Sequence, residues 1–265
     1  MPEVGQTGVW AQLLGPWHWH VEVVAVVGGA AVIYGAFWAR QRVRAGATQA
    51  GWRHLVAWLA GLAVVAVALL SPLGTLDEEL FWVHMVQHEL FIFAAPPLFL
   101  AGVAPFLRRP VAGALTLPAP VAWLARQLAR PLVALGCSSA ILWLWHAPAA
   151  YDLALAREPV HQLEHVSFLG AYLLYWRPLM RPGGSLPVLH TAAARTLYLL
   201  AGGTQSAVLG ALLTFAGTPY YRHYMNTAGG WGFTPLADQQ LGGAVMLFSG
   251  AVAFVVAAAL TIRDA

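Results

Sequence analysis

Charged side chains are scarce in this chain of 265 residues. They make up 9% of the sequence, against 59% apolar side chains and a mean hydropathy of +0.65. A water-soluble domain carries about a quarter charged residues, so this composition excludes an ordinary soluble globule. Lysine is absent altogether. Fourteen arginines against eleven acidic residues give a formal charge of +3, which is too small and too dispersed for a nucleic-acid-binding surface.

Cysteine is nearly absent as well. Cys137 is the single one and lies in an apolar run, so one copy of the chain can form neither a disulfide nor a paired-thiol metal site. We interpret it as a small buried hydrophobe. The N-terminus lacks the basic region, short apolar stretch and small-residue cleavage site of a signal peptide, so the first span is expected to act as the insertion signal.

Long apolar runs dominate what the sequence does contain. A helix that crosses a lipid bilayer needs about 20 mostly apolar residues, and these runs are continuously apolar rather than alternating, which favours helices over membrane strands. Seven stretches qualify: 20–39, 55–71, 82–104, 131–149, 160–178, 191–216 and 239–261. The sequence therefore predicts an all-α integral membrane protein, a seven-transmembrane-helix bundle that forms a single domain over residues 1–265.

The arginines predict the orientation of this bundle. Twelve of the fourteen fall around the first, third and fifth connections and the C-terminus, and only Arg157 and Arg222 fall on the opposite side. Basic residues concentrate in cytoplasmic loops, so we expect the N-terminus outside and the C-terminus in the cytoplasm. The outer sixth connection, about 217–238, is rich in Tyr, Trp, Gly and Pro. It is expected either to fold as a lid or to supply only turns and an aromatic belt.

Histidines carry the clearest functional signal. Eight of the ten map to the outer side, and four of these form two pairs spaced four residues apart, His84 with His88 and His161 with His165. Side chains at this spacing lie one helical turn above each other, so each pair can bind one metal ion. His146 ends the fourth span at a similar depth. Imidazole is a common ligand of Zn, Cu and Fe, so these five residues predict a metal or haem site in the outer leaflet.

Other polar residues extend this prediction. Asp238 opens the last span at the same depth, where it is expected to cap that helix or to offer an oxygen to the metal. Glu89, Glu164 and Gln239 are expected to support the ligands from behind, since a carboxylate can accept the far N–H of an imidazole and fix its tautomer. For the two glutamates, an interhelical hydrogen bond is the alternative. Met85 is expected to point off the ligand face and to fill space.

Four polar motifs resemble a known family. They are HMVQHELFIFAAPPLFLAGVAP at 84–105, WLWHAPAAYDLAL at 143–155, VHQLEHVSFL at 160–169 and LADQQLGG at 236–243. Their order and spacing, over about residues 55–260, are similar to those of the seven-span CtaG-type cytochrome c oxidase assembly factors of bacteria. That family is unrelated to the single-span, cysteine-bearing copper chaperone that shares the CtaG name.

The resemblance implies a multi-pass protein of the bacterial cytoplasmic membrane that handles copper for the Cu-B centre of a haem-copper oxidase. A metallochaperone of this kind is expected to bind a metal without turnover, whereas the alternatives below include an enzyme. Its partner would be oxidase subunit I or another copper chaperone, and its metal site would face the periplasm. The family's polar positions fall on His84, His88, His146, His161, His165, Asp238 and Gln239. The chain lacks a paired thiol or a Met-rich loop, so the imidazoles would hold Cu(II), Zn(II), Fe or a weakly bound Cu(I).

Three other functions remain open from the residues alone. An intramembrane zinc-dependent hydrolase acting on a lipid would use the histidines and Asp238 as zinc ligands, with Glu89 or Glu164 as general base. Ligation of haem by two histidines from different spans would give an electron-transfer or haem-handling protein. In the third case the polar cluster would only pack the bundle.

Overall fold

The computed structural model describes residues 12–13, 15–45, 51–108, 118–180, 189 and 191–263, and every regular element in these ranges is a helix. The α-helices are α1 (Val21–Ala45), α2 (Trp52–Leu70), α3 (Leu73–Leu76), α4 (Phe81–Glu89), α5 (Ala95–Arg108), α6 (Ala119–Leu128), α7 (Pro131–Trp145), α8 (Pro148–Ala156), α9 (Glu158–Trp176), α10 (Ala192–Thr214) and α11 (Pro235–Arg263). A π-helical turn, Leu90–Ala94, joins α4 to α5, and two 3₁₀ turns, His223–Met225 and Ala228–Trp231, precede α11. The predicted all-α class is confirmed.

Fewer helices meet the requirements of a membrane span than the seven that the sequence predicts. Within the described residues four segments are long and apolar enough, namely Val21–Arg44, Trp52–Leu76, Phe81–Phe106 and Ala192–Thr214. Helices α6 and α7 would together make a fifth, but they are bent by 80° where they meet. The predicted fourth span is shortened because Pro148 begins a separate helix, α8. The N-terminal half of α9, in the predicted fifth span, carries histidine, glutamine and glutamate, which lower its hydropathy.

Prolines shape the chain directly after the first histidine pair. Pro96 and Pro97 have no N–H, so the carbonyls four residues before them lose their α-helical donors. At this point the chain forms the π turn Leu90–Ala94, and the indole Nε1 of Trp176 donates to the carbonyl oxygen of Ile92 at 2.8 Å. This bond replaces a missing backbone donor and ties α9 to the segment that follows α4. π turns of this kind are frequent at functional sites.

Glycines bring α11 close to its neighbours. A Cβ atom added to Gly210 would lie 2.7 Å from the carbonyl oxygen of Gly243, and one added to Gly243 would lie 2.5 Å from the amide nitrogen of Thr214. Small residues at such an interface allow two helix backbones to approach. On the next face of α11, Gly242 lies against the ring of Phe81, the first residue of α4. Helix α4, which carries the first histidine pair, is thus held by α11.

The sixth connection folds as an ordered lid at the histidine-bearing end of the bundle. Tyr221 and Tyr224 are buried, with 3% and 2% of their surface exposed. Along the segment that precedes α4, His223 Nε2 donates to the carbonyl oxygen of Glu78 at 2.7 Å and Thr227 Oγ1 donates to that of Glu79 at 2.8 Å. Of the two interpretations of this connection, the structure therefore favours the lid.

Candidate metal centre

The five predicted imidazoles converge in one buried layer. His84 and His88 come from α4, His161 and His165 from α9, and His146 directly follows α7. None has more than 9% of its surface exposed. The ring centroid of His84 lies 4.3 Å from that of His88 and 5.1 Å from that of His161. The ring centroid of His146 lies 5.6 Å from that of His88. Three helices thus contribute imidazoles to a single cluster.

The closest approach in this layer is between two nitrogens of one helix. Nε2 of His84 lies 2.7 Å from Nε2 of His88. Glu164 of α9 faces both, with oxygens 3.8 Å from the first nitrogen and 3.4 Å from the second. Both oxygens of Glu164 are buried and have no hydrogen-bond partner. Two nitrogens and a carboxylate at this separation repel one another unless a proton or a cation lies among them.

The lid fixes the tautomer of His84. The Tyr224 hydroxyl donates to the carbonyl oxygen of Asp77 at 2.6 Å and lies 3.3 Å from Nδ1 of His84. Because its only proton is used on the carbonyl, the hydroxyl oxygen accepts from the His84 Nδ1–H. Nε2 of His84 then keeps its lone pair toward His88 and Glu164, the arrangement that a metal-binding imidazole requires.

His146 is oriented by its own helix. Its Nδ1 donates to the carbonyl oxygen of Leu142 at 2.8 Å, which leaves the lone pair on Nε2. That Nε2 lies 3.4 Å from the sulfur of Met85. Met85, which was expected only to fill space, thus contacts an imidazole at the end of α7. Nitrogen and thioether sulfur together form a softer donor pair than the imidazole layer beside them.

The second histidine pair, on α9, has ring nitrogens without hydrogen-bond partners. Nε2 of His161 and Nε2 of His165 are both buried without a hydrogen-bond partner, and Oδ2 of Asp77 lies 3.8 Å from the former. Asp77 precedes α4, is 2% exposed, and has its pKa raised by burial to about 7. Unpartnered polar groups are costly to bury. Their concentration here makes this layer a candidate site for a ligand, water or ion that would satisfy them.

Two groups of donors in this layer have the spacing of a metal site. They are His84, His161 and His165, and His84, His88 and Glu164, with ligand atoms within 4.8 Å of one another in each group. Ligands about 2.0 Å from a tetrahedral metal are about 3.3 Å apart, so small side-chain movements would close either set. Glu164, which was expected to support the ligands from behind, has a carboxylate oxygen within this spacing of His84 and His88 in the second group.

The structure does not bring the remaining predicted residues to the imidazoles. Asp238 accepts from the backbone N–H groups of Phe81 and Trp82, at 2.8 and 3.1 Å, and so caps α4. Gln239 accepts from the N–H of Tyr220 at 2.6 Å and holds the lid. Glu89 follows His88 but has both oxygens buried without a hydrogen bond, and no donor group of the described residues includes it.

Sequence reasoning missed three contributors to the centre, and each lies far from the pairs along the chain or off their face. Tyr224 orients His84 across 140 positions, Asp77 reaches His161 from a turn, and Met85 meets His146 from another helix. The one available signal was the tyrosine-rich composition of the sixth connection. It indicated that this connection could fold as a lid, but it did not identify Tyr224.

The motifs that converge on the imidazole layer lie within a region that matches a known family. The model of the cytochrome c oxidase caa3 assembly factor family matches residues 32–265. The chain belongs to this family. The resemblance seen in the sequence is confirmed, and the matched range contains the whole imidazole layer and the lid of this assembly-factor family member. Comparisons with curated proteins and with solved structures give no match.

Proposed function

We propose that this chain is an oxidase assembly factor that holds copper in the imidazole layer and passes it on for the Cu-B centre. The observation that carries this proposal is the crowding of buried donors around His84. Nε2 of His88 lies 2.7 Å from Nε2 of His84, and both oxygens of Glu164, which have no hydrogen-bond partner, face these two nitrogens. Membership of a family of cytochrome c oxidase assembly factors supplies the process that such a site would serve.

The donor set suits a metal that is transferred rather than kept. Imidazole and carboxylate bind Cu(II) and Zn(II), whereas no thiolate is near to trap Cu(I) permanently. Cys137, the single cysteine, lies in the middle of α7, whose C-terminal end carries His146. More donors are present than one tetrahedral ion needs, so a partner could replace ligands one at a time. Copper is here the cargo of the protein and not its resident cofactor.

In this proposal the protein crosses the bacterial cytoplasmic membrane seven times, with α7, α9 and α11 completing the spans that length and composition alone leave at four or five. The N-terminus lies outside and the C-terminus in the cytoplasm, because twelve of fourteen arginines fall on one side. The imidazole layer then lies toward the periplasm. Its partner is subunit I of a haem-copper oxidase or another copper chaperone.

The test is metal content in a matched set of variants. Wild-type protein purified in mild detergent and incubated with copper is expected to retain it, and His84→Ala/His161→Ala is expected to lose it while its circular dichroism is unchanged. His54→Ala is the control, because His54 bonds the carbonyl oxygen of Ala101 on α5, outside the imidazole layer. Co-expression with the oxidase should give full Cu-B occupancy with the control and low occupancy with the double variant.

Three results would overturn the proposal. Full copper in the double variant would remove the imidazole layer from metal binding. A fixed stoichiometric zinc with lipid hydrolysis would identify a hydrolase, and a Soret band would identify a haem protein. The family assignment favours neither of these two.

A further inference from the structure

A cavity of about 530 Å³ opens beside the imidazole layer. It lies between α1, α2 and α9, and the turn that carries Asp77 and Glu78 also borders it. Valines of α1 and α2 line its sides. Its position matters because the donors described above are buried, and a metal ion must have some path to them.

The floor of this cavity is the imidazole layer itself. His161 and His165 line it, and they are 6% and 9% exposed. The Nε2 atoms of both and Oδ1 of Asp77 have no hydrogen-bond partner. Three buried polar atoms without partners therefore border one cavity, and such atoms require a ligand, water or ion to compensate their lost hydration.

The rim of the cavity is acidic. Glu22, Glu78 and Glu158 line its exposed part together with His20, whose Nδ1 lies 3.8 Å from the carboxylate of Glu22. No arginine is among the lining residues that the structure describes. Ligand atoms of Glu78, Glu158 and His161 lie within 4.8 Å of one another. Carboxylates around a cleft with low-dielectric walls concentrate cations and raise their association rate.

His161 belongs to two donor groups. It combines with the rim carboxylates Glu78 and Glu158, and it also combines with His84 and His165 in the buried layer. A cation bound at the rim can therefore gain an inner ligand before it loses an outer one. It never has to enter the apolar interior without ligands.

We propose that this cavity is the route by which copper enters and leaves, and that Glu78, Glu158 and His161 form an outer transfer site for the ion. The inference rests on the proposed function, because it requires the inner layer to bind copper. It adds a second cation site and a direction of approach, from the rim carboxylates to His161 and from there to His84 and His165.

Loading kinetics test the outer site separately from the inner one. Detergent-purified, metal-free protein is mixed with Cu(II) as the chloride at low ionic strength, and bound copper is followed over time and at equilibrium. Glu78→Gln/Glu158→Gln is expected to reach the copper content of the wild type but at least about tenfold more slowly. The difference should shrink with added salt, since screening weakens exposed charges.

Matched variants separate charge from structure. Glu79→Gln removes the same charge next to Glu78 but outside the cavity lining, and it is expected to load at the wild-type rate. Val26→Trp fills the α1 side of the cavity at a position that is 72% exposed, so it should fold normally and slow both loading and release.

The outcomes distinguish the two proposals. Wild-type loading rates in both Glu78→Gln/Glu158→Gln and Val26→Trp would overturn the entry route while leaving the inner copper site intact. Loss of equilibrium copper in the carboxylate variant would overturn the outer site as a transfer site, because it would make these residues part of the final ligand set. Absence of copper from the wild type at equilibrium would overturn the proposed function and this inference with it.

Discussion

Nε2 of His146 lies 3.4 Å from the sulfur of Met85, and both residues are buried beside the imidazole layer. The pairing joins α7 to α4 at the level of His88, whose ring centroid is 5.6 Å from that of His146. Because Nδ1 of His146 is used on the carbonyl oxygen of Leu142, its free lone pair faces the thioether. The centre thus contains one soft donor among hard and intermediate ones.

Met85→Leu is expected to change metal selectivity. Thioether sulfur stabilises Cu(I) far more than Zn(II), so the variant should bind Cu(I) about tenfold more weakly and Zn(II) with unchanged affinity. Competition with Cu(I) and Zn(II) chelators measures both. Leucine keeps the volume, so the fold should tolerate the change.

Met246→Leu serves as the control for that experiment. Met246 is as fully buried as Met85 and packs in the same hydrophobic core, and the hydrogen bonds seen at this residue go to its backbone carbonyl, which accepts from Ser206 and Ser249. Unchanged Cu(I) affinity in Met85→Leu, or an equal loss in both variants, would show that Met85 only fills space.

Tyr224→Phe is expected to weaken metal binding, although Tyr224 is not itself a proposed ligand. The change removes the hydroxyl that links Asp77 to Nδ1 of His84, so the ring loses its orientation and fixed tautomer. Loss of such a partner costs about 10–100-fold in metal affinity. Titration with copper measures the change, and Tyr198→Phe is the control because its hydroxyl bonds the carbonyl oxygen of Tyr175, remote from the histidines. Equal affinity in both variants would contradict the role given to the lid.

Much of the centre follows from local sequence, because a spacing of four residues fixes which side chains share a helix face. His84 with His88 and His161 with His165 were predictable for this reason, as was the depth of His146. The partner of each face was not predictable. Met85 leaves the histidine face of α4 only to meet His146 of α7, a contact set by the packing of three helices.

Capping gives a second example of the same limit. Asp238 was expected to cap its own helix or bind metal, but Thr234 occupies the first role, with Oγ1 accepting from the N–H of Ala237 at 3.1 Å. A threonine followed by a proline is a local start signal that the sequence does contain. The actual use of Asp238, capping α4 from a distance of 157 residues, depends on tertiary packing alone.

Glycine-to-alanine variants should report how closely α10 and α11 pack. Gly210→Ala is expected to lower the melting temperature in detergent, because the new methyl would overlap the backbone of α11 near Gly243 and Leu247. Gly170→Ala is the matched control: it lies within α9, and a Cβ there meets nothing within 4 Å. Alanine in an open helical site is more stable than glycine by about 0.5–1 kcal/mol, so this control should melt at the same or a higher temperature. Similar melting temperatures in the two variants would contradict the close packing.

Asp238→Ala should separate capping from metal ligation. The variant removes an acceptor that serves two backbone N–H groups at the start of α4, and loss of a cap costs about 1–2 kcal/mol of stability. The melting temperature is therefore expected to fall. Copper per protein should stay at the wild-type value, because the substitution removes none of the proposed metal ligands. Asp238→Asn keeps one acceptor oxygen, so its melting temperature should lie between those of the wild type and Asp238→Ala. Loss of copper from both variants at temperatures where they remain folded would contradict this prediction, because it would show that Asp238 is a metal ligand and not only a cap of α4.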